Sequence, residues 1–310
     1  MRQIFILQSF LLLVLFSCAS NEQQLNQTGN ESAGAADQEV KSGNSLLWRV
    51  DGADIETSYL FGTMHMIDRE YFKFPDFLQS KIKTSESIIM EVDGIPNPLS
   101  TFQMMSLDSG TVHRYFNQEQ LVELLAFMDT EMGISPQEFD LTYGKMKPFF
   151  IMQSITQSYF ETDAQSYDLL IMALAGEHHI PIIGLESTEE QLGFFDQMAP
   201  EEMANIVMES ARSYEQEQED MEKLMKLYAR QKVDKLIPLL HKQSPEFMDY
   251  ADLFLYDRNR KWIPELITAM QDKKCFVAVG AAHLFGEDGV IDLLRKKGYQ
   301  LTPIDMNPEE

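Results

Sequence analysis

The sequence has few cysteines and a shortage of positive charge. Only two cysteines, Cys18 and Cys275, occur among its 310 residues, so no disulfide framework holds the fold together. Lysine and arginine number 25 against 49 aspartates and glutamates, which gives a net charge of -24. Such a chain lacks the basic face that binds nucleic acid, and anionic lipid surfaces repel it. We therefore expect neither a disulfide-stapled module nor a nucleic-acid-binding protein.

No apolar run reaches the ~20 residues that a membrane-spanning helix needs. Two shorter stretches, Ile4–Leu7 and Leu11–Phe16, follow the single basic residue Arg2, as in the hydrophobic region of a secretory signal. Leu15–Cys18 (Leu-Phe-Ser-Cys) is similar to a bacterial lipobox, in which the cysteine is lipidated and becomes the mature N-terminus. This pattern favours an exported lipoprotein that is lipidated on Cys18. A plain cleaved signal peptide or a short membrane anchor is the alternative.

The rest of the chain divides into a polar segment and one folded domain. Residues 18–44 are rich in Asn, Gln, Ser, Gly, Glu and Ala, so they cannot bury enough apolar surface to offset the entropy of folding. We therefore predict a signal peptide over residues 1–17, a flexible tether over 18–44 and a single domain over 45–307. With 44% hydrophobic residues, the chain has enough apolar side chains for a substantial core.

Strand and helix patterns alternate at both ends of this domain, and the middle is mainly helical. Strands are predicted at 46–50, 57–62, 87–92, 180–185, 275–280 and 299–304. Helical patterns cover 75–84, 117–128, 146–159, 166–176, 259–270 and 290–297, with one long helical segment over 199–231. The predicted fold class is α/β: a central sheet covered by helices, with a large, mainly helical middle section.

Two histidines follow predicted strands within the same short motif. Gly62–His65 (Gly-Thr-Met-His) comes at the end of one strand, and Gly280–His283 (Gly-Ala-Ala-His) at the end of another. A glycine there lets the backbone turn sharply and lets a ligand approach closely. Glu91 ends a third strand, and Glu186 follows a fourth. If these four strands run parallel in one sheet, two imidazoles and two carboxylates converge at the edge where open α/β sheets bind ligands.

Neutral imidazoles and carboxylates suit divalent metals such as Mn, Co, Zn or Fe. A single Gly-x-x-His motif is more often a structural, hydrogen-bonded histidine, and the repetition of the motif is what favours a site. We therefore predict a metal site of His65, His283, Glu91 and Glu186. A bound metal lowers the pKa of its water towards ~7 and polarises a carbonyl group.

Taken together, these motifs resemble the TraB/PrgY/GumN family, the group that includes the Tiki metal-dependent proteases. The segments that carry the resemblance occur in the family's order: 60–65, 87–92, 184–187, 258–259 and 279–286. The resemblance covers about residues 47–304. It implies that His65 and His283 are the paired site histidines, Glu91 the site glutamate and Arg258 the site arginine.

The resemblance also implies a function, a metal-dependent peptidase or hydrolase that acts on an extracytoplasmic peptide or protein. Glu91 would be a metal ligand or a general base, and Arg258 would stabilise developing negative charge. The alternative is a non-catalytic binder that sequesters a peptide or a metal-containing ligand such as haem. The expected location is the cell envelope, where a lipid on Cys18 holds the protein on the membrane. The identity of the metal, the substrate and the oligomeric state stay open.

Overall fold

The computed structural model describes residues 44–92, 94, 98–243 and 250–306. Cys18, the predicted signal peptide and nearly all of the predicted tether lie outside these residues. The described residues form thirteen α-helices and a six-stranded mixed sheet, which confirms the predicted α/β fold class. Within the same part of the chain, no helix combines the length and the apolar character needed to cross a membrane.

The sheet is mixed, with a parallel part and an antiparallel edge. Its strands are β1 (Leu47–Asp51), β2 (Ser58–Thr63), β3 (Ser87–Met90), β4 (Ile182–Gly184), β5 (Cys275–Gly280) and β6 (Gln300–Ile304). They lie in the order β4-β3-β5-β2-β1-β6. Neighbours among β4, β3, β5 and β2 are parallel, whereas β1 pairs antiparallel with both β2 and β6. The two strands that lead into the histidine motifs, β2 and β5, are therefore parallel neighbours, as predicted.

The helices are unevenly distributed along the chain, and most lie between β3 and β5. They are α1 (Asp76–Lys83), α2 (Pro98–Met105), α3 (Gln118–Thr130), α4 (Pro136–Thr142), α5 (Pro148–Gln157), α6 (Tyr167–Glu177), α7 (Thr188–Phe195), α8 (Pro200–Arg212), α9 (Tyr214–Ala229), α10 (Val233–Gln243), α11 (Asp257–Asp272), α12 (Ala281–Leu284) and α13 (Val290–Lys296). A 3₁₀ turn at Val112–Tyr115 and a π-helical turn at Asp252–Tyr256 lie between them.

Apolar side chains of the central strands alternate between the two faces of the sheet, because successive strand residues point in opposite directions. Phe61 of β2 and Phe276 of β5 enter the core under α1, α6, α9 and α10. Leu60 and Val277 enter the core on the other face, under α11 and α13. A third core lies in the helical middle section, between α3, α4, α5 and α8. Burial of each large apolar side chain contributes roughly 1.5–3 kcal/mol to these cores.

The third and fourth strands end earlier than the sequence predicts. The third strand ends at Met90, so Glu91 lies just beyond it, although its backbone carbonyl still accepts from the N–H of Glu186 at 3.0 Å. The fourth strand begins only at Ile182, because Pro181 has no N–H to give to a neighbouring strand. Both strands therefore stop short, and the acidic residues that follow them sit in the connections.

The helical predictions hold for most elements, with one correction. The segment 199–231 is two helices, α8 and α9, because the backbone at Ser213 leaves the helical region (φ -100°, ψ 13°). Asn117 caps α3: its side chain accepts from the backbone N–H of Gln120, and the side chain of Gln120 accepts from the backbone N–H of Asn117.

Candidate functional site

Four predicted site residues lie where the parallel strands end. His65 is two residues beyond β2, Glu91 one beyond β3, Glu186 two beyond β4, and His283 lies in α12, directly after β5. Because these strands are parallel neighbours, their carboxyl ends share one edge of the sheet. The fold thus collects residues that are as far apart in the sequence as His65 and His283.

Arg258 joins the two carboxylates from the first turn of α11. Its Nη2 donates to Oε2 of Glu91 at 2.7 Å and also to Oε1 of Glu186, while Nε donates to Oε2 of Glu186 at 3.2 Å. All three residues are buried, with 6–8% of each exposed. The guanidinium balances one of the two carboxylate charges, so the cluster keeps an excess negative charge when both glutamates are ionised.

Both carboxylate oxygens of Glu91 accept hydrogen bonds. Its Oε1 accepts the backbone N–H of Gly280 at 2.9 Å, and its Oε2 accepts from Nε2 of Gln191 at 3.0 Å as well as from Arg258. Burial raises the pKa of Glu91, but the charge of His283, which is protonated only in strong acid, and the charges of Arg258 and His65 outweigh that effect and lower the pKa to about 2. Glu91 is therefore a carboxylate at neutral pH. Burial raises the pKa of Glu186, and Arg258 opposes that rise.

The imidazole of His283 is buried and neutral. Its Nδ1 lies 2.7 Å from Oδ1 of Asn259, and its Nε2 lies 3.2 Å from Nη1 of Arg258. The ring packs against Trp262, with ring centroids 4.5 Å apart. Burial lowers the pKa of His283 to about 3, so Arg258 rather than His283 supplies the positive charge beside Glu91 at pH 7.

The imidazole of His65 lies on the solvent side of the site, and its side chain is 59% exposed. Its Nδ1 is 2.9 Å from Oδ2 of Asp168, whose other oxygen accepts from the hydroxyl of Thr63 at 3.1 Å. The negative charge of Asp168 raises the pKa of His65 to about 9. The two motif histidines thus differ in charge state, because one faces a carboxylate near water and the other a neutral amide in the interior.

Gly280 lies between the three predicted ligands. A Cβ atom at this glycine would lie 3.3 Å from Oε1 of Glu91, 3.6 Å from Cδ2 of His283 and 3.8 Å from Nε2 of His65. The missing side chain therefore leaves a small space that two imidazoles and a carboxylate border. The backbone at Gly280 has φ -52°, which any residue can adopt, so the predicted sharp turn is not the reason for this glycine. The reason is the close approach of Glu91, His283 and His65 to this position.

The residues at this space are of types that bind divalent metals once His65 has released a proton, and one predicted ligand is differently engaged. Nε2 of His65, His283 and the Oε1 side of Glu91 face the space beside Gly280. Both oxygens of Glu186 instead accept from Arg258, so the geometry assigns Glu186 to the support of the guanidinium. Within the described residues, no group of three or more His, Cys, Asp or Glu side chains is already arranged as a metal site.

A cavity of about 310 Å³ opens beside Arg258, between α7 and α11. Phe194 and Leu253 give it apolar walls, and Lys261 and Glu190, which form an ion pair at 2.8 Å, lie in its lining. Phe194 also packs against the guanidinium, 5.4 Å from its ring centroid. The cavity is a place where an extended ligand could lie next to the site.

Three residues of the site were not predicted from the sequence: Asp168, Asn259 and Gln191. Asn259 follows Arg258 directly and could have been found from that neighbour. Asp168 lies in the first turn of α6, and Gln191 in α7, and neither follows a strand. Since the sequence gives no sign of which helix faces the sheet edge, these two had no signal of their own.

Residues 46–303 match the model of the TraB/PrgY/gumN family. The uncharacterized protein YbaP of Shigella flexneri is 25% identical over 242 residues, which cover 77% of this chain and 88% of that protein. The uncharacterized protein YbaP of Escherichia coli strain K12 is 25% identical over 241 residues, which cover 76% and 87%. No solved structure matches the chain. The family match includes every residue of the site described above.

Proposed function

Because the chain belongs to the TraB/PrgY/gumN family, we propose that it is a metal-dependent hydrolase of an extracytoplasmic peptide or protein. The observation that carries the proposal is the convergence of His65, His283 and Glu91 on the space beside Gly280. Two imidazoles and one carboxylate are donors that suit Mn, Co, Zn or Fe. A metal held there would lower the pKa of a bound water and polarise a peptide carbonyl.

The surroundings of the two histidines support this proposal. Histidines that ligate metals usually donate their second ring N–H to an oxygen, which orients the ring. Each motif histidine has such an oxygen at Nδ1: Asp168 for His65 and Asn259 for His283. In both rings Nε2 is the nitrogen on the side of the site. To bind a metal, Nε2 of His65 would give up a proton, and Nε2 of His283 would give up its contact with Arg258.

The low pKa of Glu91 favours one of the two roles predicted for it, metal ligand or general base. A general base works best when its pKa lies near the working pH. With a pKa of about 2, Glu91 is a weak base, but it is fully ionised and therefore suited to bind a cation. We assign Glu91 as a ligand. Arg258, which donates to Glu91 and Glu186, is the group placed to stabilise negative charge that develops on a substrate oxygen.

The test measures metal content and peptide cleavage together. Wild type, His65→Ala, His283→Ala and Glu91→Gln are purified and analysed for bound metal, and cleavage of a peptide library is followed by mass spectrometry with Mn, Co, Zn or Fe added. All three variants should lose most of the metal and at least ~10²-fold in cleavage rate. His178→Ala, an exposed histidine outside the site, is the matched control and should behave as wild type.

A second candidate function is a binder that sequesters a peptide or a metal-containing ligand such as haem. It is favoured by the hydrogen bonds of Arg258 to Glu91 and Glu186, because these bonds already occupy the guanidinium that a hydrolase would use on its substrate. The same experiment separates the two. If wild type binds no more metal than a His65→Ala/His283→Ala double variant and cleaves nothing, the hydrolase proposal fails and the binder replaces it.

The proposal also includes a location. Leu15–Cys18 is similar to a lipobox, so we propose that the protein is exported and attached to the membrane through a lipid on Cys18. Its partners would be the membrane and a peptide or secreted protein substrate. The acidic net charge of -24 gives no surface for nucleic acid.

A further inference from the structure

The side-chain amide of Asn259 can be oriented without ambiguity. One of its terminal atoms lies 3.1 Å from the backbone carbonyl of His283 and 2.9 Å from that of Asp288. A carbonyl oxygen only accepts hydrogen bonds, so this atom must be the NH₂ group. The other terminal atom, which faces Nδ1 of His283 at 2.7 Å, is therefore the amide oxygen. Asn259 is wholly buried, so water does not compete for these bonds.

This orientation fixes the proton on His283. The oxygen of Asn259 only accepts, so Nδ1 must carry the hydrogen. On the opposite side of the ring, Nη1 of Arg258 faces Nε2 at 3.2 Å, and a guanidinium only donates. Nε2 must therefore carry an electron pair and no hydrogen. Two neighbours on different sides of the imidazole, one an acceptor and one a donor, demand the same tautomer.

We propose that Asn259 is a positioning residue that holds His283 in the Nδ1–H tautomer and so keeps Nε2 unprotonated, with an electron pair that accepts from Arg258 in this structure. This role deepens the proposed hydrolase function and rests on it only for its catalytic consequence. In that function, His283 acts as an electron-pair donor and not as a proton donor. The tautomer of a histidine is set by the hydrogen bond that its other nitrogen makes, and Asn259 makes that bond here.

The test determines directly which nitrogen of His283 carries the proton. The full chain is labelled with ¹⁵N-histidine, freed of metal and studied at pH 7 by long-range ¹H–¹⁵N correlation, with the His283 signals assigned by their loss in His283→Ala. Wild type should show a protonated Nδ1 and an unprotonated Nε2. Asn259→Ala should populate the Nε2–H form, whereas Asn259→Asp keeps an acceptor oxygen and should retain Nδ1–H. Asn205→Ala, an exposed asparagine on α8, is the control.

Three outcomes would overturn the proposal: an Nε2–H tautomer in wild type, an unchanged tautomer in a folded Asn259→Ala, or loss of Nδ1–H in Asn259→Asp. If Asn259→Ala does not fold, wild type and Asn259→Asp still decide. Titration of the same samples with Zn or Mn adds a second readout. Loss of an outer-shell partner typically lowers metal affinity ~10–100-fold, which we expect for Asn259→Ala. Nδ1–H in wild type without any metal binding would reject the hydrolase and leave the role of Asn259 standing.

Discussion

At the residue scale, the proposed metal site depends on the lack of a side chain at Gly280. Gly280→Ala should leave the fold intact, because φ of -52° suits alanine. The new methyl group would stand 3.3 Å from Oε1 of Glu91 and partly fill the space between the ligands. We expect metal affinity and cleavage to fall at least ~10-fold, while the free energy of unfolding changes by less than ~1 kcal/mol. Isothermal titration and urea denaturation measure the two quantities.

Gly176→Ala is the matched control for this substitution. Gly176 lies on α6 with no atom within 4 Å of the added methyl, so its replacement should affect neither metal binding nor cleavage. A Gly280→Ala protein that binds metal as tightly as wild type would show that the space beside Gly280 is not the metal site.

The low pKa of His283 leads to a prediction about how the stability of the protein depends on pH. Its folded pKa is about 3, whereas the unfolded histidine has its ordinary pKa of 6.5. As pH falls through 6.5 towards 3, the unfolded chain gains a proton that the folded chain does not, so acid favours unfolding in this range. We expect metal-free wild type to lose stability from pH 7 to pH 4 more steeply than His283→Gln does. Urea denaturation at pH 7, 5.5 and 4 measures this, with the exposed His178→Gln as control. Parallel curves for wild type and His283→Gln would contradict the prediction.

At the scale of elements, α11 is the helix that assembles the site, because its first turns carry Arg258, Asn259 and Trp262 inward. Arg258→Met should destabilise the metal-free protein by about 3 kcal/mol or more, since it leaves the carboxylates of Glu91 and Glu186 buried and unpaired. The loss should shrink at pH 5, where these carboxylates, freed of the guanidinium, can take up protons. Urea denaturation at pH 7 and pH 5 measures both effects.

The same helix offers the control, Arg260→Met. Arg260 is two residues away and pairs with Asp252, Asp257 and Asp288, but its side chain is 42% exposed. Exposed ion pairs contribute about 1 kcal/mol or less, so this variant should stay close to wild type. Equal losses for the two arginine variants would mean that the buried cluster does not depend on Arg258.

The elements that carry the site differ in how well the sequence predicts them. The two motifs, each at the end of an apolar strand, were enough to predict that β2 and β5 are neighbours in one sheet, and the structure shows that they also run parallel. The sequence could not show that Arg258 would engage Glu186, because the rotation of α11 about its axis depends on packing against the sheet. Asp168 was out of reach for the same reason, 103 residues from its partner His65 and on a helix.

At the scale of the whole molecule, the candidate site and the family match lie in the same part of the chain. The family match over residues 46–303 falls inside the predicted domain of 45–307, and the boundaries of that domain stay a prediction. The site draws on residues from His65 to His283, so it forms only when both ends of the domain have joined the sheet. Cys18 precedes this domain and lies outside the described residues.

The last prediction concerns how the whole molecule is held at the membrane. With a net charge of -24, the chain is repelled by anionic headgroups, so the proposed attachment depends on a lipid on Cys18. Cys18→Ser should therefore abolish labelling by a palmitate analogue and move the protein from the membrane fraction to the soluble fraction. Cys275→Ala is the control: burial raises the pKa of this thiol to about 11, it lies inside β5, and its loss should leave labelling unchanged. If the label persists in Cys18→Ser but disappears in Cys275→Ala, the lipid is on Cys275 and the prediction is wrong. If the label persists in both variants, neither cysteine is lipidated.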